Sequence, residues 1–228
     1  MEIVLVRHGQ PEWVNNGLNV DDPPLTRLGH EQSVHIADRL ATEHFDEILV
    51  SPLLRARQTA APLLERLGRK MEIEPWLEEI RSPIWQDTPE EKAVEAWKAH
   101  RSKNSTERWS GLDDGEAVID FVNRINVGAS LFLEERGLLR QNVDLPVWEK
   151  AAGRGADSKI LLVCHAGTSS VVICHLLGLS PTPWEWERFV VGHASISRIH
   201  SFELGDGFTF SLNRLAEDAH LPDSHRSF

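Results

Sequence analysis

The chain is short of cysteine, of long apolar runs and of positive charge. Only two cysteines, Cys164 and Cys174, occur among 228 residues. Two thiols cannot make a disulfide framework, so a reducing compartment is the expectation. No apolar stretch reaches the roughly 18 residues that a membrane-spanning helix needs, and no membrane partner is expected. The opening Met1-Glu2 runs directly into Ile3-Val4-Leu5-Val6, without a basic segment or a small-residue cleavage site. A signal peptide is therefore not expected, and the location read from the sequence is cytoplasmic. Lys+Arg number 24 against 35 Asp+Glu, a formal net charge of −11. A general nucleic-acid binder needs a basic face to displace counterions, so no nucleic acid is expected as a partner. An acidic shell around a local basic pocket still suits a small anionic ligand. Internal repeats and low-complexity tracts are missing as well, which leaves out solenoids and disordered tails as the main architecture.

What is present is an ordinary globule, with 41% hydrophobic and 26% charged residues. The length favours one domain with an inserted segment. Three short apolar runs, Ile3 to Val6, Ile48 to Val50 and Ile160 to Cys164, show no alternation of polar and apolar residues. That is the pattern of strands buried on both faces of a parallel sheet. Helical patterns lie between them. One follows a cap at Thr26, with Ile36, Ala37, Leu40 and Ala41 on one face. Another follows Ser51-Pro52, read as an N-cap and first-turn pair, with Pro62 expected to kink or break it. The clearest begins after Gly115, where Val118, Phe121, Val122, Ile125, Ala129 and Phe132 recur at three and four. A last helix is expected from Thr168 to Leu177, stopping at Gly178. Ala194 to Ser201 and Phe208 to Asn213 read as a closing hairpin. The alternation predicts an α/β fold: a mostly parallel central sheet with helices on both faces. Residues 80–112, with a helix from Pro89 to His100, and residues 136–158 interrupt it and read as lid or insertion segments. The tail after Ala216 reads as polar and loose.

Each buried run ends in chemistry. The first ends in Arg7-His8-Gly9, the second in Ser51-Pro-Leu-Leu-Arg55-Ala-Arg57, the third in Cys164-His165-Ala166-Gly167. Ligands of open α/β sheets bind beyond the carboxyl ends of the strands. Three parallel neighbours would bring two histidines and two or three arginines together there. Guanidinium forks match phosphate oxygens, and Gly-bearing turns let backbone N–H groups approach an anion. A histidine among arginines has a depressed pKa, which leaves a neutral imidazole able to act as a nucleophile.

Arg7-His8-Gly9, Ser51-Pro-Leu-Leu-Arg55-Ala with Gln58-Thr59-Ala60, His165-Ala-Gly167, Pro24-Leu25-Thr26-x-x-Gly29 and Gly115-Glu116 resemble the histidine phosphatase superfamily, the phosphoglycerate mutase-like proteins. The resemblance spans residue 3 to about 200. It implies one phosphoglycerate mutase-like domain over residues 1–215, with residues 216–228 as its tail. It implies His8 as the phosphorylated nucleophile, with Arg7, Arg55 and His165 on the phosphoryl oxygens. The family's proton donor is a carboxylate in an L-x-E context after the third strand, which Leu77-Glu78-Glu79 matches. Glu79 is the better candidate and Glu78 its rival. The sequence departs from the family at Gln10, where Glu is common, and at Val14, where Asn is common. The phosphate-contacting amide then falls to Asn15, Asn16 or Asn19, and Asn19 and Ala166 are taken as further substrate contacts. Arg57 fits the pocket rim and an exposed helix face equally.

Other motifs are set aside. His30 and His35 are one residue too far apart for a zinc-protease pair. Cys164-His165 and Cys174-His175 read as core, and Asn104-Ser-Thr lacks a secretory context. No metal and no cofactor are expected. The function implied is hydrolysis of small phosphorylated metabolites through a phosphohistidine. A mutase and a non-catalytic phospho-ligand or protein-binding module are the alternatives, and a homodimer is compatible with all three.

Overall fold

The computed structural model describes residues 1–141, 144–150, 158–205 and 207–228. Strand β1 (Glu2–Arg7) leads into a small ribbon, β2 (Val14–Asn15) and β3 (Leu18–Asn19), and then α1 (Arg27–Leu40). There follow β4 (Glu47–Val50), α2 (Leu54–Leu67), β5 (Glu72–Ile73), α3 (Glu90–Ser102) and α4 (Val118–Glu135). The second half holds β6 (Leu138–Arg140), β7 (Trp148–Lys150), β8 (Lys159–Cys164), α5 (Ala166–Leu177), α6 (Glu185–Arg188), β9 (Ile196–Leu204) and β10 (Gly207–Glu217). Eight strands form one sheet in the order β5-β4-β8-β1-β9-β10-β7-β6. The expected α/β sheet is present. Its half from β5 to β1 is parallel and carries the site; the β9–β10 hairpin, β7 and β6 extend it with antiparallel pairs.

The missing alternation in the apolar runs has a direct cause. Ile3, Leu5, Ile160 and Leu162 point into a core shared with α4 and α5, while Val4, Val6, Leu161 and Val163 point into a second core under α1 and α2. With helices on both faces, every residue of such a strand leaves water, worth roughly 1.5–3 kcal/mol for each full-sized apolar side chain. The helices follow their signals. Thr26 caps α1 by accepting from Gly29 N at 3.0 Å. Gly178, at φ 66°, ends α5 in the left-handed conformation that glycine adopts without strain.

Three expectations are corrected. Ser51-Pro52 does not cap α2, which begins at Leu54; the Leu54 N–H is met instead by Asp22 Oδ1 at 3.0 Å. Of the kink or break expected at Pro62, the break does not occur, since α2 continues to Leu67. Ala56, Thr59, Ala60, Leu63 and Leu64 are all buried, and this packing outweighs the one backbone hydrogen bond that proline removes. The tail is docked, not loose. Leu221 is buried, Gln32 Nε2 donates to His225 O at 2.7 Å, and His193 N donates to Ser227 O at 2.9 Å.

The two interruptions also part company. Residues 80–112, with α3, stand over the carboxyl ends of the parallel strands. In 136–158, β6 and β7 lengthen the sheet, with Trp148 edge-on to Phe210 at 5.0 Å; residues 142–143 and 151–157 lie outside the described residues. No helix among the described residues is long and apolar enough to cross a membrane.

Candidate active site

The parallel ladder continues one residue past each strand. His8 N donates to Cys164 O and Ser51 N to Val163 O, both at 3.0 Å. Those bonds fix His8, Ser51 and His165 side by side at the carboxyl edge of the sheet. The His8 and His165 rings sit 5.0 Å apart, edge to face, and both side chains are buried.

The turn that presents His8 is braced from two helices. Gly9 N donates to Thr59 Oγ1 at 2.9 Å, and Thr59 Oγ1 donates to Arg55 O at 2.7 Å. From the other side, Gly29 of α1 lies so close that a Cβ there would fall 2.2 Å from Gln10 O. This contact explains the Pro24-Leu25-Thr26-x-x-Gly29 motif: it holds the backbone of the histidine turn.

Hydrogen bonds assign the His8 tautomer. Nδ1 lies 2.7 Å from Gly9 O, an acceptor, so Nδ1 carries the proton. Nε2 keeps its lone pair and accepts from Arg55 Nε at 3.3 Å. Burial, and then the neighbouring His165, Arg55 and Arg7, hold the His8 pKa well below the ordinary histidine value. The outcome is a neutral imidazole with a directed lone pair among guanidinium groups.

Each cation is held in turn. Arg55 lies over the Trp13 ring at 4.9 Å and 3.7 Å from Asp22. Arg7 donates through Nη1 to Val191 O at 2.6 Å and through Nη2 to His193 Nε2 at 2.9 Å. His193 then carries its proton on Nδ1, which donates to Ser227 Oγ at 3.0 Å. Burial, aided by Arg7, takes the His193 pKa down to about 3, so it stays a neutral acceptor. Burial brings Arg7 itself to about 10, with Glu79 opposing the fall and Arg55 adding to it; Arg7 remains charged at neutral pH. His165 Nε2 is 2.7 Å from Ser51 Oγ. With Ser51 donating, His165 keeps a proton on Nδ1. That atom and Arg7 Nε are buried polar atoms with no protein partner among the described residues. Unmatched donors of this kind point to an anion.

Glu79 faces this cluster from the other wall. Its Oε1 accepts from Ile80 N at 3.0 Å and its Oε2 from Gly167 N at 2.9 Å, at the first turn of α5. Burial raises its pKa above the usual carboxylate value and outweighs those two N–H groups, Arg55 and Arg7. A raised carboxyl is what a proton donor requires. Glu78 is engaged elsewhere, with Arg81 Nη2 at 2.7 Å from its Oε2. Arg7, His8, Arg55, Glu79, Ala166 and Gly167 line one cavity of about 490 Å³. His165, completely buried, lies against His8 behind it.

Gly167 is a second position of close approach. A Cβ there would lie 2.4 Å from Glu79 Oε1. A carboxylate at the end of a flexible side chain gives way easily, and alanine suits a helix better than glycine by up to about 1 kcal/mol. Gly167→Ala is therefore expected to leave Tm unchanged or higher while kcat falls about 10- to 100-fold, because Glu79 is displaced. Thermal unfolding and steady-state kinetics on one preparation check both halves.

Some sequence-derived candidates lie elsewhere. Asn19 is buried, but its amide donates to Thr88 O, Thr88 Oγ1 and Pro89 O, where it ties β3 to the start of α3. Asn15 and Asn16 are exposed in the β2–β3 ribbon and its turn, and none of the three lines the cavity. Arg57 is exposed on α2 and also lies off the cavity. Sequence reasoning missed Ser51, His193, Ser227 and Asp22, whose partners are distant along the chain. Among the described residues, no group of three or more His, Cys, Asp or Glu side chains is placed to hold a metal ion.

Known proteins resemble the chain over most of its length. A probable phosphoglycerate mutase of Yersinia enterocolitica is 29% identical over 97% of this chain and 95% of its own. A glucosyl-3-phosphoglycerate phosphatase of Mycolicibacterium vanbaalenii is 33% identical over 80% of this chain and 76% of its own. Among solved structures, a mycobacterial glucosyl-3-phosphoglycerate phosphatase bound to inorganic phosphate superposes with a TM-score of 0.66 at 25% identity, covering 97% and 99% of the two chains. The alpha-ribazole phosphatase of Shigella flexneri shares the fold at TM-score 0.68 and 23% identity, over 95% and 96%. The model of the histidine phosphatase superfamily (branch 1) matches residues 3–137 and 144–212, and to that family the chain belongs.

Proposed function

We propose that this protein is a phosphatase of small phosphate monoesters that works through a phosphohistidine on His8. The observation that carries the reading is the lone pair of His8 Nε2, held by the Nδ1–Gly9 bond and set among Arg7, Arg55 and His165. His8 Nε2 attacks phosphorus and the ester P–O bond breaks. Glu79 gives its proton to the departing oxygen, so an alcohol leaves. Arg7, Arg55 and His165 donate to the phosphoryl oxygens as their charge redistributes. Water then attacks phosphorus and passes its proton to the Glu79 carboxylate. The P–N bond breaks, releasing inorganic phosphate and restoring both groups.

A mutase reading is favoured by one finding, the near full-length match to a probable phosphoglycerate mutase. In that case a second hydroxyl takes the place of water. Phosphate release from p-nitrophenyl phosphate, with and without a bisphosphoglycerate primer, separates the two. Steady release without primer is the expected result; isomerisation of phosphoglycerate that needs primer supports the mutase. A protein that does neither is a binding module, against which the complete set of His8, Arg7, Arg55, His165 and Glu79 argues. A cytoplasmic setting fits the two thiols, both buried and unpaired.

Positive charge at the phosphoryl group comes from side chains in this reading. Turnover should therefore persist within about twofold after dialysis against EDTA. Loss of activity that Mg²⁺ or Zn²⁺ restores would contradict it.

A further inference from the structure

The catalytic cavity carries two kinds of lining. Beside the reactive Arg7, His8 and Arg55, it is walled by the apolar side chains of Ile84, Trp97, Trp186, Val190 and Phe228. Several of these are apolar surface held open to solvent, with Ile84 86% and Phe228 79% exposed. A concave apolar wall continuous with reactive groups is how a ligand's carbon skeleton is normally received.

The charges on that wall narrow the choice. Among the described residues lining the cavity, the cations are Arg7, Arg55 and Arg81, and the anions are Asp21, Glu78 and Glu79. Arg7 and Arg55 serve the phosphoryl group. Arg81 is engaged by Glu78, donating to Oε2 through Nε at 3.2 Å and Nη2 at 2.7 Å. Lys92 and Lys103 line a separate cavity that shares only Pro83 and Ile84, and Lys103 is paired there with Asp113. A leaving group bearing a carboxylate would meet Asp21 and Glu78, while Arg81, the remaining cationic side chain of the described lining, already donates to Glu78. Such like-charge placement rejects a ligand as effectively as good contacts attract one.

We infer that the substrate is the phosphate monoester of an uncharged alcohol carrying an aromatic or similarly bulky apolar group, and that the Glu78–Arg81 pair turns away carboxylate-bearing leaving groups. The inference rests on the phosphatase reading above. It separates this chain from the relatives whose names specify phosphoglycerates, since a glycerate carries a carboxylate.

Two primary alkyl esters with matched leaving oxygens test it: phenylpropyl phosphate and carboxypropyl phosphate. The expected kcat/KM ratio favours the phenyl ester by about 100-fold. Trp97→Ala should shrink that ratio about tenfold by removing wall. Glu78→Gln should shrink it about tenfold by releasing Arg81 to the carboxylate. The two variants sit on different elements, so a folding failure in one leaves the other informative. Hydrolysis of both esters with equal or reversed preference overturns the inference and leaves the phosphatase reading standing. A ratio unmoved by either variant overturns the roles given to Trp97 and the Glu78–Arg81 pair. Release from neither ester, without label on His8, overturns the phosphatase reading and this inference with it.

Discussion

Rapid quench of the wild-type protein with a radiolabelled phosphate monoester should trap an acid-labile, base-stable adduct, and His8→Ala should trap none. Among the described residues lining the cavity, His8 is the one imidazole; its Nδ1 proton is committed to a carbonyl and its Nε2 faces a guanidinium. The same substitution should lower kcat by at least about 10³-fold, the scale on which loss of a nucleophile acts. The rest of the pocket would remain, because His8 donates no side-chain bond that holds Arg7 or Glu79. Undiminished label on His8→Ala would move the phosphoryl group to another residue, with His165 the first to examine.

Glu79→Gln should separate leaving groups. An alkyl phosphate expels an alkoxide that needs a proton, whereas p-nitrophenolate departs with little need of one. General acid catalysis contributes about 10²- to 10⁴-fold, so single-turnover phosphorylation by an alkyl phosphate should slow by that factor. The p-nitrophenyl ester should lose less than about tenfold. The comparison belongs to the first chemical step, since Glu79 also serves as base when water attacks the phosphohistidine. An equal fall for both esters would remove Glu79 as the acid. Glu78→Gln should not reproduce the contrast, because Glu78 is tied to Arg81.

The pH dependence follows from two displacements in opposite directions. Burial raises Glu79, so its proton persists to higher pH than on an ordinary carboxyl and is lost as pH rises through the raised value. Burial and cationic neighbours lower His8, so its lone pair is protonated only at pH well below the usual histidine range. Phosphorylation should be fastest between the two, in the acid to neutral range, and should decline on the alkaline side as Glu79 ionises. In Glu79→Gln the alkaline limb of the single-turnover profile should vanish while the acid limb stays. Measuring that profile with an alkyl phosphate checks the sign.

Three central strands of the parallel half, β1, β4 and β8, the longer helices and the chemistry at the strand ends were legible in the chain. Apolar runs without alternation can bury both faces only in a helix-covered sheet, and Arg7-His8-Gly9, Arg55 and His165-Ala166-Gly167 each follow such a run. Strand geometry then carries those side chains to one edge, whatever the loops do. The caps at Thr26 and Gly178 and the apolar period of α4 were legible for the same reason: the forces behind them act within one or two turns of chain. Tertiary structure decided what those forces do not reach. Ser51 reads locally as a helix cap, but its hydroxyl has a better partner in His165, 114 positions away. The local pattern around Asn19 suits a phosphate contact, yet its amide is spent on residues 88–89. The polar composition of residues 216–228 suggests looseness, but Ser227 reaches His193 and through it Arg7. The balance at Glu79 likewise was closed to sequence, because desolvation and two guanidinium charges oppose each other there. Both depend on distance and burial, which exist only once the chain has folded.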